Sequence, residues 1–94
     1  METAIRRRDT TCVYCGVQLE DTVPSSCSQK SVGTWEHIIN DASIISMENI
    51  ARCCNSCNAS KGSKELKTWL GSDYCKRKGI TRASVAEVVR RNLQ

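Results

Sequence analysis

Apolar positions in this chain fall into short, separated groups, and their spacing changes character near Asn55. Before that point "SVGTWEHII" (31–39) reads as a strand. "ENIARC" (48–53) reads as a second short strand or extended segment, and the polar loop "NDASIISM" (40–47) joins the two. "NSCNASK" then forms a short helix that stops at Gly62. In "KELKTWLGSDYCKRKG", Leu66, Trp69, Leu70 and Tyr74 share one helical face; Gly71 weakens or kinks this helix and Gly79 ends it. "TRASVAEVVRRNL" predicts a last amphipathic helix with Val85, Val88 and Val89 inward. It starts either at Ser84, which has capping-box spacing to Glu87, or at Thr81. Residues 1–11 read as a polar, basic lead-in, and 19–31 as a loop around Pro24. With no internal repeat and no low-complexity linker, residues 1–94 form one domain of α+β class.

Composition explains why such a pattern needs help to fold. A chain of 94 residues buries a limited core. This one has no Phe, and its large aromatics are Trp35, Trp69, Tyr14 and Tyr74. It has seven cysteines instead, an odd number that cannot form a complete disulfide set within one chain. The start "METAIRRRDTT" lacks the apolar run of a secretory leader, and no segment has the length of a membrane span. The expected compartment is reducing and cytoplasmic, where paired cysteines bind metal.

The pairs are Cys12-Val-Tyr-Cys15 and Cys54-Asn-Ser-Cys57, with 38 residues between them. Each can supply two corners of a tetrahedron, and together they make a four-cysteine zinc site with no open position, hence a structural one. Gly16 supplies the positive φ for the first turn. Cys53 competes with Cys54 for the register; Cys54 is preferred because it completes the second C-x-x-C. Cys27 and Cys75 fit no pair and read as free or half-buried thiols.

Charge adds less. Fourteen Lys and Arg against ten Asp and Glu give +4, and a zinc-loaded form would carry about +2. That permits nucleic-acid binding without demanding it. Basic residues gather at Arg6–Arg8, at Lys61, Lys64 and Lys67, and at Lys76–Lys78; taken singly, each cluster reads as a solvated face.

The one histidine, His37, could be a zinc ligand, a core histidine or a catalytic base. Four cysteines already fill a zinc, which weakens the first reading. Its neighbours favour the third. "EHIIN…ENIARCCNSCNASK" resembles the HNH endonucleases, a branch of the ββα-metal nucleases. Their pattern is an acidic residue and His on a strand, then Asn, then C-x-x-C-N-x-x-K. The matching residues here are Glu36-His37, Asn49, Cys54, Cys57, Asn58 and Lys61, with Cys12 and Cys15 upstream. The resemblance spans a core over 12–61 and says little about 62–94.

It implies a small zinc-stabilised ββα-metal fold with additional C-terminal helices. His37 would be the general base toward water. Asn49 would hold the histidine ring or the loop. Glu36 and Asn58 would bind one Mg²⁺ or Mn²⁺ on the scissile phosphate of DNA. Because side chains alternate along a strand, a local twist or the metal must bring Glu36 and His37 to one phosphate. Lys61, Lys64 and Arg52 are the expected DNA contacts. Two departures are visible: Glu36 stands where the family most often has Asp, and Asn40 where a proline often follows. Small proteins of this kind are encoded by bacteria and phages, in mobile elements and in defence systems. The expected partner is DNA bound with little sequence preference, with specificity borrowed from a homodimer or a larger nuclease complex. A non-catalytic zinc module binding nucleic acid is the competing reading. A third takes residues 81–94 as the recognition helix of a helix-turn-helix.

Overall fold

The computed structural model describes residues 1–20, 32–41 and 43–93. Among them run a helix α1 (Glu2–Arg8), strands β1 (Gly33–His37) and β2 (Ile50–Cys54), and helices α2 (Asn55–Lys61), α3 (Leu66–Leu70), α4 (Asp73–Lys78) and α5 (Glu87–Arg91). The class is α+β. Cys27 and most of the expected 19–31 loop lie outside the described residues.

The strands pair antiparallel, from Gly33 opposite Cys54 to His37 opposite Ile50. The 12-residue connection 38–49 between them is fastened by Asn49. Its Oδ1 accepts the Ile39 N–H (2.7 Å), and its Nδ2 donates to the Ile39 and Ile44 carbonyls (3.2 and 3.1 Å). A single buried amide thus satisfies three backbone groups of a loop that has no ladder of its own.

The polar, basic lead-in contains a helix, α1, that the sequence reading does not assign. Glu2 in its first turn and Arg6, Arg7 and Arg8 in its last match the helix dipole. Ile5, 1% exposed, is its one buried residue. The helix is pinned to β2 by charge. Arg8 clamps Asp9 through two bonds (2.7 and 2.8 Å) and donates to the Ile50 carbonyl (2.9 Å), while Asp9 accepts the Arg52 N–H (3.1 Å). With one apolar position per helix, there was no period to read.

The expected 64–79 helix is two. Ser72 caps α4 by accepting the Cys75 N–H at 3.3 Å, so the chain turns at Gly71–Ser72 rather than kinking through. Leu66 and Trp69 are buried as the spacing predicts. Trp69 donates to Ser60 Oγ (3.0 Å) and meets Tyr14 edge-on at 4.8 Å, joining α3 to α2 and to the first cysteine turn. Cys75 is fully buried, beyond the half-burial expected of it.

At the C-terminal end Val85, Val88 and Val89 are buried, as expected. Ser84 does not cap with Glu87. It exchanges bonds with Thr81 instead: Thr81 N–H to Ser84 Oγ at 2.7 Å and Ser84 N–H to Thr81 Oγ1 at 3.1 Å. α5 then starts only at Glu87, with the Ala86 N–H bonded to the Val13 carbonyl (2.8 Å). Five residues with their valines turned inward do not make a recognition helix, which sets aside the helix-turn-helix reading. No helix among the described residues is long and apolar enough to cross a membrane.

Candidate metal centre and the surroundings of His37

Cys12, Cys15, Cys54 and Cys57 come together with their sulfurs all within 4.8 Å of one another. Sulfurs about 2.3 Å from a central zinc stand about 3.8 Å apart at the corners of a tetrahedron. Cys15 and Cys54 are already 3.7 Å apart. Backbone N–H groups point at the sulfurs: Tyr14 and Cys15 at Cys12 Sγ (3.4 and 3.5 Å), Cys57 at Cys54 Sγ (3.4 Å). Such donors favour thiolates. The four thiols can hold a zinc ion. Gly16, at φ 81°, turns the chain back after the first pair, as expected.

Proximity also registers in acidity. Hydrogen bonds from Cys54 and then Cys57 hold the Cys12 thiol down to about 2, and the bond to Cys12 pushes Cys54 up to about 11. Tyr74 forms an outer contact, its hydroxyl 3.3 Å from Cys57 Sγ and 2.9 Å from Ser56 Oγ. Cys53 takes no part. It lies opposite Thr34, its sulfur 3.6 Å from Thr34 Oγ1, and burial pushes its thiol up. Strand alternation turns it away from the cluster, which settles the register in favour of Cys54.

The other predicted residues are arranged in two groups. α2 packs across β1 in a ladder: Asn58 Nδ2 donates to Thr34 Oγ1 (2.9 Å), and one turn on, Lys61 Nζ lies 3.3 Å from Glu36 Oε2. Tyr14 donates to the same Oε2 at 2.8 Å. Glu36 is 5% exposed and Lys61 not at all. Burial, then the Glu36 charge, pushes the Tyr14 phenol far above its ordinary value.

His37, half-buried, is separate from this ladder. It lines a pocket of about 290 Å³ with Trp35, Ile45, Ile50 and the start of α1. The strands pair in regular register through His37 opposite Ile50, so His37 and Glu36 are adjacent residues of one regular strand, where alternation directs their side chains to opposite faces. Asn49 holds the loop and makes no bond to the histidine ring, which resolves its alternatives.

The expected DNA contacts fare unevenly. Lys61 is committed to Glu36 and also reaches the His37 carbonyl (3.4 Å). Arg52 is 7% exposed. It stacks on Trp35 at 5.4 Å and fills the space over Gly33, where a Cβ would lie 2.5 Å from its Nη2. Both are buried. Lys64 is exposed, its ammonium resting on the Ser60 carbonyl (3.0 Å). Tyr14, as partner of Glu36, was missed by sequence reasoning. The two stand 22 residues apart, and no spacing signals their contact.

No family model matches this chain, nor does any curated protein or solved structure.

Proposed function

We propose that this protein is a metal-dependent endonuclease of the HNH type that hydrolyses phosphodiester bonds in DNA. One observation carries the reading: the order of the motif coincides with its scaffold. His37 closes β1, Asn49 fastens the loop after it, and Asn58 stands on the helix that the cysteine cluster anchors to β2. On this reading the cluster holds zinc, which is structural because four protein ligands leave no open position.

A second, catalytic cation would be held by Glu36 and Asn58, and their donor chemistry fits a hard ion. Tyr14 and Lys61 both engage Oε2 of Glu36 rather than Oε1. Asn58 commits its Nδ2 to Thr34, so Oδ1 is the atom it has to offer. Lys61 is the competitor, an ammonium already at the carboxylate. Bound Mg²⁺ or Mn²⁺ would supply Lewis-acid stabilisation of charge on the scissile phosphate. His37 accepts the proton of the attacking water. The phosphate must then lie at the end of β1, where groups from both faces of a strand can converge.

Nicking of supercoiled plasmid with Mg²⁺ or Mn²⁺ tests the proposal. Parental protein should nick, and His37→Ala should lose about 10²–10⁴ in rate with fold and metal content retained. Equal nicking by both would overturn it.

The buried Glu36–Lys61 pair favours one alternative, a zinc module that binds nucleic acid without cutting it. There Glu36 is a scaffold residue with its charge already matched. No nicking under any divalent ion, together with intact DNA binding, would select that reading.

A further inference from the structure

Charge is divided unequally along this chain. Residues 1–61 carry six Lys and Arg against seven Asp and Glu, a net −1; residues 62–94 carry eight against three, a net +5. The whole +4 therefore comes from the segment that the HNH resemblance does not cover. Burial leaves the division as it is, because Arg52 and Lys61 are withdrawn from the surface of the first part together with Asp9 and Glu36. Arg8, too, is taken up by Asp9 and two backbone carbonyls.

The basic segment also has shape. α3, α4 and the turn before α5 enclose a groove of about 530 Å³, floored by Leu70, Ile80 and Leu93 and bordered by Lys67, Lys76 and Arg82. Among the described residues, no Asp or Glu side chain lines it. Lys67 also lines a second hollow of about 500 Å³, whose far side is Ile39 and Asn40. Those two residues follow His37 directly after Ile38. Asn40 Nδ2 donates to the Lys64 carbonyl at 3.1 Å, tying the loop after β1 to the basic segment. The two hollows share Lys67, and their linings extend from Arg82 to Ile39 and Asn40, just past the end of β1. Glu65 lines the second and is its one carboxylate.

We infer that residues 62–94 are the DNA-binding surface of this protein, and that Lys67 and Lys76 seat a duplex phosphate backbone that runs toward His37. The identity of the polyanion rests on the nuclease reading; the location of the surface rests on charge and shape. Phosphate contacts dominate affinity and carry no sequence information, as expected of flexible lysines over an apolar floor.

The test is titration of a short fluorescent DNA duplex, without divalent ion, from about 50 to 200 mM salt. Lys67→Gln with Lys76→Gln removes two contacts. It should lower the log–log salt slope by about 1.8 and weaken binding roughly 60-fold at about 0.1 M salt. Arg82 is left in place because it bonds the Leu93 carbonyl. Arg6→Gln with Arg7→Gln makes the same change in charge on α1, at the edge of the His37 pocket, and should lower the slope by clearly less. Equal losses in the two double variants would overturn the inference, as would a parent that fails to bind duplex. So would single-stranded RNA displacing the duplex at equal phosphate concentration. His37→Ala separates this inference from the nuclease reading. If the parent binds through Lys67 and Lys76 but cuts no better than His37→Ala, the surface stands and the nuclease falls. If Lys67→Gln with Lys76→Gln binds and cuts at the parental level, the surface falls and the nuclease stands.

Discussion

Lys61 Nζ lies 3.3 Å from Glu36 Oε2, a lysine from the HNH-like motif sealed against that motif's own acidic residue. Both charges are buried, so each depends largely on the other, with Tyr14 also donating to Glu36. Lys61→Met should cost about 3–5 kcal/mol in denaturant unfolding, since it leaves a buried carboxylate uncompensated. Glu36→Gln added to Lys61→Met should recover much of that loss. If Glu36 can hold a divalent ion, millimolar Mg²⁺ should raise the melting temperature of Lys61→Met but not of the double variant.

If the four-cysteine centre holds zinc, folding should depend on metal. Structural zinc contributes on the order of 10 kcal/mol in small zinc domains. A strong chelator should therefore collapse the far-ultraviolet circular dichroism, and added zinc should restore it. Cys54→Ser should purify unfolded or metal-poor. Cys53→Ala should keep full zinc content, because its sulfur faces Thr34. Zinc lost from Cys53→Ala and retained by Cys54→Ser would reverse the register.

Asn49 and His37 should separate by the kind of loss they show. Asn49→Ala strips three backbone groups of their partner and should cost about 1–3 kcal/mol or more, visible as a lower melting temperature. His37→Ala should melt near the parental temperature and fail only in the plasmid assay. A large drop in melting temperature for His37→Ala would make the histidine structural.

Tyr14 gives a pH signature at the alkaline end. Its phenol is held protonated by burial first and by the charge of Glu36 second, while in the unfolded chain it ionises near pH 10. Its contribution to stability is thus complete below about pH 10. Above that the unfolded state releases a proton the native state keeps, and stability falls by about 1.4 kcal/mol per pH unit. Absorbance near 295 nm should show Tyr14 ionising together with unfolding rather than before it.

What could be read from the residues was what is local. The two C-x-x-C pairs, the strand at Trp35, the short helix ending at Lys61 and the inward valines all declare themselves within a few positions. What could not be read depends on partners far along the chain. That Glu36 is buried against Tyr14 and Lys61 could not be read, because these partners stand 22 residues before it and 25 after. Lys61 and Arg52 look like surface cations until helix and sheet bury them. α1 is hidden because a helix held by Ile5 and the Arg8–Asp9 clamp has no amphipathic period. The split between α3 and α4 turned on whether Ser72 would cap, a choice that Gly71 alone does not decide.

Cys54 is the last residue of β2, the N-cap of α2 and a corner of the metal cluster. In hydrogen exchange, strand and helix would then not open separately once zinc is bound, because the residue that ends one begins the other and both would be tied to the ion. The amides of β2 and α2 should exchange as one unit, at a rate set by how often the metal lets go. α5, joined to that unit through the Ala86 N–H on Val13, should exchange faster than the unit while zinc is bound.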